Sequence, residues 1–228
     1  MKEKIDERLK AVAALVPAGA RVADVGSDHA YLAMYLFTEG RAEYVVASDK
    51  NEGPCAAARA TLEAAGLSEK IPVRCGDGLS ALFVGEVDYV CIAGMGGELI
   101  TYILQASPDV FGKLKRVVLQ PMNDAPLLRK WLYEHGWHIA DETMAKVEGR
   151  IYEIIAAEQG KETMPSAGIL EIGPVLWEKR PQLLKEHVEE LSRKYKRILE
   201  GLKKSQHPDV VRMKRTEERI HELEAIQW

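Results

Sequence analysis

Four short stretches put reactive or polar side chains where an apolar run ends. The first, Val22-Ala23-Asp24-Val25-Gly26-Ser27-Asp28-His29-Ala30-Tyr31, breaks at Gly26 and then delivers a hydroxyl, a carboxylate, an imidazole and a phenol. The second ends at Ser48-Asp49, the third at Gly76-Asp77-Gly78, and the fourth at Ala93-Gly94-Met95-Gly96-Gly97. A turn that cradles phosphate offers bare amides and a cation. Asp24 and Asp28 would repel phosphate, so they suit a ligand that carries positive charge and no phosphate. Asp49 lies 23 residues after Gly26, about the interval at which a second-strand acid reaches a ribose diol. A carboxylate accepts from two vicinal hydroxyls at once. Asp77 can accept from an adenine amino group while its flanking glycines let the chain pass close.

Each of these residues also has a plain structural reading. Asp49 alone is a solvated strand-end acid, Asp-Gly is an ordinary turn pair, His29 is a helix-start histidine, Tyr31 a core-capping aromatic, and Met95 a gap-filler. What favours the functional readings is that the elements bring all of them to one rim. Strand and helix alternate from residue 21 onward, with strands ending at Val25, Asp49, about Cys75, about Ala93 and about Gln120. Short apolar strands alternating with helices predict a mainly parallel sheet covered on both faces. Ligands bind beyond the carboxyl ends of such strands, where the strand order reverses. Gln120-Pro121-Met122-Asn123-Asp124 adds a fifth polar end. The runs Trp137 to Ala145 and Arg150 to Glu158, with no long helix between them, predict an antiparallel hairpin at one sheet edge.

The rest of the chain frames this sheet. Residues 2–15 read as a helix with Ile5, Leu9, Val12 and Val16 on one face. Residues 1–160 form the predicted sheet domain, 161–177 loosen into a Gly, Pro, Ser and Thr connector, and 178–228 form a helical domain. In the last, Leu184, Val188, Leu191, Tyr195, Ile198 and Leu202 follow a heptad spacing. Pro208 breaks the helix, and Val210, Met213, Ile220 and Leu223 stripe a second one, which predicts an antiparallel coiled-coil hairpin.

A hydrophobic share of 46% and a net charge of −4 describe an ordinary globular chain, and no run is apolar enough for a membrane span. The N-terminus lacks the layout of a signal peptide. Cys55, Cys75 and Cys91 lack metal spacing, and an odd count in apolar contexts reads as reduced thiols with no disulfide and no metal site. A cytoplasmic protein is expected. Charge is uneven along the chain: residues 178–228 hold 13 Lys and Arg against 10 Asp and Glu. The basic concentration comprises Arg193, Lys194, Lys196, Arg197, Lys203, Lys204, Arg212, Lys214 and Arg215, with only Glu200 and Asp209 among them. Such a stripe attracts a polyanion.

The common nucleoside cofactor with an ammonium, a sulfonium and no phosphate is S-adenosylmethionine, so methyl transfer ranks above hydride transfer. Here a resemblance becomes specific. The segments VADVGSDHAYL, ASDKNEGPCAAA, GDGL, IAGMGGELI, LQPMND and EGRIYEII, in this order and followed by the helical hairpin, resemble the bacterial TrmK family of tRNA (adenine-N1)-methyltransferases acting on adenine 22. The resemblance implies a Rossmann-like class I methyltransferase sheet in an α/β fold, a C-terminal α-helical coiled coil, S-adenosyl-L-methionine as donor and tRNA as substrate gripped by the basic stripe. It implies cofactor contact for Gly26, Asp28, Asp49, Asp77 and the loop Gly94, Met95, Gly96 and Gly97, with Asp28, His29 and Tyr31 as catalytic candidates near the acceptor base; Asp24, Ser27, Gly76, Gly78 and Ala93 join the candidate cofactor contacts by their place at the same rim. Ala33 stands where the family often has proline, and Asp49 where it often has glutamate.

The chemistry limits the acceptor. Enzymes that methylate exocyclic amines often place an Asn or Asp, two prolines and an aromatic after the fourth strand, and Ala93-Gly94-Met95-Gly96 offers no such ring. N1 of adenine is reached only by taking the base out of its stack. Its methylation leaves a cationic ring, whose charge Asp28 can balance or whose amino proton it can help remove, with His29 as relay. Two other readings stand beside this one: a small-molecule methyltransferase whose basic hairpin serves self-association, and a non-catalytic RNA-binding protein with a nucleoside pocket.

Overall fold

The computed structural model describes residues 5–205 and 209–226, in two compact units, Met1–Met164 and Pro165–Trp228. The first contains a seven-stranded sheet: β1 (Ala20–Val25), β2 (Ala42–Asp49), β3 (Val73–Cys75), β4 (Tyr89–Met95), β5 (Arg116–Pro121), β6 (Trp137–Val147) and β7 (Arg150–Gln159), in the order β3-β2-β1-β4-β5-β7-β6. The first five are parallel, and β7 runs antiparallel to both neighbours. The order reverses between β1 and β4, so the crevice that binds ligands in such sheets opens over the carboxyl ends of these two strands.

Burial explains why the strands sit where they do. Val22, Ala23 and Val25 of β1 and Val90, Cys91 and Ile92 of β4 are buried whichever face they point to, as the centre of a parallel sheet requires. The closing hairpin forms as expected, but β7, the later strand, takes the inner place. Ile154, Ile155, Ala156 and Ala157 are fully buried in succession, whereas β6 buries Trp137, Ile139, Glu142 and Ala145 between more exposed residues. A continuous apolar run suits a position covered on both faces, and an interrupted one suits the edge.

Among the described residues of this unit the helices are α1 (Glu7–Ala14), α2 (Tyr31–Thr38), α3 (Glu52–Ala64), α4 (Gly97–Gln105), α5 (Pro108–Phe111), which packs against α4, and α6 (Ala125–Glu134). Helix α1 starts later than its apolar spacing predicts, because Asp6 caps it by accepting from Leu9 N at 2.8 Å; residues 2–4 lie outside the described residues. Arg129 of α6 is fully buried and fastens that helix to the hairpin through Glu142 of β6 (2.7 Å) and Glu153 of β7 (2.5 Å).

One expectation about cysteine is corrected. Cys55, in the first turns of α3, and Cys75, at the end of β3, are joined as a disulfide with their Cα atoms 6.1 Å apart. The fold brings together two residues that are 20 apart in sequence and carry no motif. Cys91 is free and buried.

The second unit holds α7 (Ala167–Ile172), α8 (Pro174–Lys179), α9 (Leu184–Lys203) and α10 (Val210–Glu224). The stretch 161–177, expected as a plain connector, thus carries α7 and most of α8. Ion pairs from Lys196 to Glu224 (2.6 Å) and from Lys203 to Glu217 (3.1 Å) fix α9 and α10 as an antiparallel pair. Glu171 of α7 is buried, accepts from Tyr195 Oη (2.5 Å) and faces Arg219 (3.4 Å), so it ties both long helices to the short one. The seam of α9 is buried or half-buried as its spacing predicts. On α10, however, Val210 is 72% exposed while Thr216 is buried. Asp209 caps that helix by accepting from Arg212 N at 2.9 Å, which makes Val210 the first residue at its open end. The expected break at Pro208 lies outside the described residues. No described helix is long and apolar enough to cross a membrane.

Candidate active site

The crevice over β1 and β4 is a cavity of about 620 Å³, within the range of small-ligand sites. Of the residues singled out from sequence, Asp24, Gly26, Ser27, Asp28, His29, Tyr31, Asp49, Gly76, Asp77, Gly78, Ala93, Gly94 and Met95 all line it. Gly96 does not. It caps α4, and a Cβ there would stand 2.9 Å from Asn123 Oδ1. Its neighbour Gly97 would meet Asp124 O at 2.6 Å, so this glycine pair lets the turn after β5 close against α4.

The turn after β1 is built around Asp24. This residue is 3% exposed, and its Oδ2 accepts from Ser27 Oγ (2.6 Å) and from Ala33 N in the first turn of α2 (3.2 Å). Gly26 N and Ser27 N both donate to Ser48 O at 2.9 Å, which anchors the turn to the end of β2. Burial raises the Asp24 carboxyl from its ordinary 3.8 to about 6, against the two hydrogen bonds that favour its charge. Burial likewise pushes the Cys91 thiol up, and the charge of Asp24 adds to that.

Three alternate positions then depart from ordinary backbone. Gly26 has φ 76°, and a Cβ on it would stand 2.0 Å from Met95 Cε. Asp28 and Ala30 have φ 51° and 58°, a left-handed region that costs a residue with a Cβ energy. The result turns the Asp28 side chain outward, 70% exposed, with its Oδ1 3.9 Å from His29 Nε2. The His29 and Tyr31 rings stack at 5.4 Å with 12° between their planes. The backbone of Asp28 is pinned to the next strand, its N donating to Asp49 Oδ2 at 3.3 Å, while Asp49 Oδ1 accepts from Asn51 N at 3.0 Å.

At the far end, Asp77 accepts from Lys50 Nζ at 2.7 Å, which raises the Lys50 ammonium. A Cβ on Gly76 would stand 2.9 Å from Ala81 Cβ, and one on Gly78 would stand 2.8 Å from Ile103 Cγ2. The glycines here fit a tight 3-10 turn at Gly78–Ala81 under α4.

Sequence reading missed the wall that α1 supplies. Asp6, Arg8 and Leu9 line the cavity, as do Leu99, Tyr102 and Ile103 of α4. Arg8 Nη1 donates to Gln120 Oε1 at 2.6 Å, and the same oxygen accepts from Gly94 N at 3.1 Å. Gln120 is fully buried, so it joins α1, the end of β4 and the end of β5 at one atom. Nothing in an amphipathic N-terminal helix marks Arg8. The only signal for its partner was the polar end of β5. The cavity as a whole is acidic, with Asp6, Asp24, Asp28, Asp49 and Asp77, and it is relieved by Arg8 at one end and Lys50 at the other.

Comparison with known proteins fits this architecture. A family model described as TrmK, tRNA (adenine(22)-N(1))-methyltransferase, matches residues 22–225. The chain belongs to the TrmK family. A tRNA (adenine(22)-N(1))-methyltransferase of Bacillus subtilis is 40% identical over 195 residues, 82% of each chain. The crystal structure of the B. subtilis m1A22 tRNA methyltransferase TrmK superposes with a TM-score of 0.87 at 33% identity, covering 97% of both chains. Streptococcus pneumoniae Sp1610, solved in complex with S-adenosyl-L-methionine, has a TM-score of 0.86 at 34% identity, covering 96% of this chain and 98% of its own. The likeness to these two structures extends over 96–97% of this chain, through the sheet and the C-terminal helices alike.

Proposed function

We propose that this chain methylates N1 of adenine 22 in tRNA with S-adenosylmethionine as donor. One observation carries the reading: an acidic cradle with Arg8 on its β4–β5 side. The cofactor's ammonium and sulfonium suit the carboxylates, its α-carboxylate suits Arg8, and Gly26, Gly76 and Gly78 line the same cavity. Asp49 accepts from the ribose hydroxyls with the lone pairs that Asp28 N and Asn51 N leave open. Asp77 accepts from the adenine amino group, in exchange for or beside Lys50. Asp24 and Ser27 hold the turn, and Ala93, Gly94 and Met95 form the floor toward the acceptor.

When bound, S-adenosylmethionine supplies an electrophilic methyl group for in-line attack by the ring nitrogen. The protein's part is alignment and charge. Asp28, outward-facing and preset by its left-handed backbone, balances the positive charge that develops on the purine, with His29 as its relay. The stacked His29 and Tyr31 rings offer an aromatic face to the extruded base.

The helical unit, 178–228, is the tRNA-binding domain in this reading. Of its basic residues, Arg193, Lys196, Lys203 and Lys214 each face a glutamate. Lys194, Arg197, Lys204, Arg212 and Arg215 are exposed and make no ion pair among the described residues, and the first three share one face of α9 by their spacing. These five are the phosphate contacts. Such a reaction takes place where tRNA is, in the cytoplasm. The test is mass spectrometry of tRNA digested after reaction with the purified protein and S-adenosylmethionine. N1-methyladenosine is expected from unmodified tRNA and not from a transcript with guanine at position 22. Tight cofactor binding with no product from any tRNA would refute the reading.

A further inference from the structure

The segment Glu148-Gly149-Arg150-Ile151-Tyr152, the turn of the β6–β7 hairpin, is not used by the cofactor site. Because β7 runs antiparallel to β5, its first residue lies at the end of the sheet where β5 finishes at Pro121. Arg150 Nη2 donates to Met122 O at 2.8 Å, just beyond that strand. Its guanidinium carbon stands 5.1 Å from the centre of the Tyr152 ring, and that of Arg8 stands 5.7 Å from the same ring. Arg8 in turn lines the cavity and bonds Gln120. A cation–aromatic–cation ladder thus runs outward from the cavity wall on the β5 side, away from Asp49 and Asp77 at the ends of β2 and β3.

We infer that Arg150 and Tyr152 form an RNA contact within the methyltransferase unit, holding the backbone phosphate beside the adenosine being methylated. The cavity lining is rich in carboxylates and repels a polyanion, so a strand that presents a base to it needs a cation at its lip. Arg150 is exposed and makes no ion pair among the described residues. The ring and Met122 O hold its guanidinium in place, so little freedom is lost when a phosphate takes its remaining donors as a fork.

The inference rests on the tRNA reading above, and one experiment separates the two. Binding of unmodified tRNA to the wild type, Arg150→Ala and Arg150→Gln is measured by fluorescence anisotropy across a salt titration, with calorimetry of S-adenosylmethionine and steady-state kinetics alongside. Loss of the charge is expected to weaken tRNA binding about tenfold and to reduce the slope of log K against log salt by about one. KM for tRNA should rise by more than kcat falls, with cofactor affinity unchanged. The glutamine variant keeps a donor for Met122 O, so it tests the charge alone if the alanine variant does not fold. An unchanged affinity and slope in a wild-type background that methylates tRNA overturn the inference, as does a parallel loss of cofactor affinity. Absence of methyl transfer by the wild type overturns the tRNA reading instead.

Discussion

Asp24 links the site to the stability of the fold, and its titration has a definite sign. Its folded carboxyl lies at about 6 against an ordinary value of 3.8, so the native state holds this proton more tightly than the unfolded chain. Stability contributed by the group is therefore present at low pH and is lost as pH rises from about 4 to about 6, after which it stays lost. That difference in proton affinity between the two states corresponds to about 3 kcal/mol. Asp24→Asn keeps an oxygen to accept from Ser27 Oγ and Ala33 N but cannot ionise. Relative to wild type, the variant should gain up to about 3 kcal/mol at neutral pH and nothing below about pH 4. Urea denaturation of both proteins across that pH range, taking the difference at each point, isolates this group from the other carboxylates. A difference that stays flat with pH, or a wild type that becomes relatively more stable toward neutrality, would refute the argument that burial outweighs the two hydrogen bonds.

The remaining predictions address the site, the core and the tail. Asp49→Ala should weaken S-adenosylmethionine binding by about 1.5–3 kcal/mol in calorimetry, since it removes the diol acceptor and frees the Asp28 backbone. Asp28→Asn, which tolerates the left-handed φ, should leave that affinity nearly intact while lowering kcat about a hundredfold or more. Arg129→Ala strands Glu142 and Glu153 and should cost about 3–5 kcal/mol in urea denaturation. Neutralising Lys194, Arg197 and Lys204 together should lower the salt slope of tRNA binding by about three, whereas neutralising Lys196 and Lys203, which already face glutamates, should lower it less.

Much of the fold could be read because its strands are short apolar runs with one clear end. The β2 strand stops at Asp49 as its pattern predicts, and four of the five polar ends meet at one crevice, which the fifth, Gln120 to Asp124, does not line. The reading failed where a contact joins distant residues or where geometry overrides type. Gly96 and Gly97 look like a ligand loop, but their lack of side chains serves the approach of Asn123 and Asp124. Asp24 lines the crevice, but the work its carboxylate does in the fold, holding Ser27 Oγ and Ala33 N, has no mark in the sequence. The Cys55–Cys75 proximity depends on where α3 starts relative to the end of β3, which no spacing rule encodes. Val210 fits an apolar stripe until the cap at Asp209 puts it at the open end of the helix.

The bond from Arg8 to Gln120 spans 112 positions, and α1 is held nearby by Arg116, which donates to Leu15 O at 3.0 Å. On the proposed reading, the arginine that meets the donor's carboxylate is not held in place until β5 has followed and packed near α1. Because such a ligand binds the native state alone, it stabilises the assembled unit by mass action. Cofactor abundance in the cell would then set how much of the newly made enzyme stays folded, as well as how fast it works.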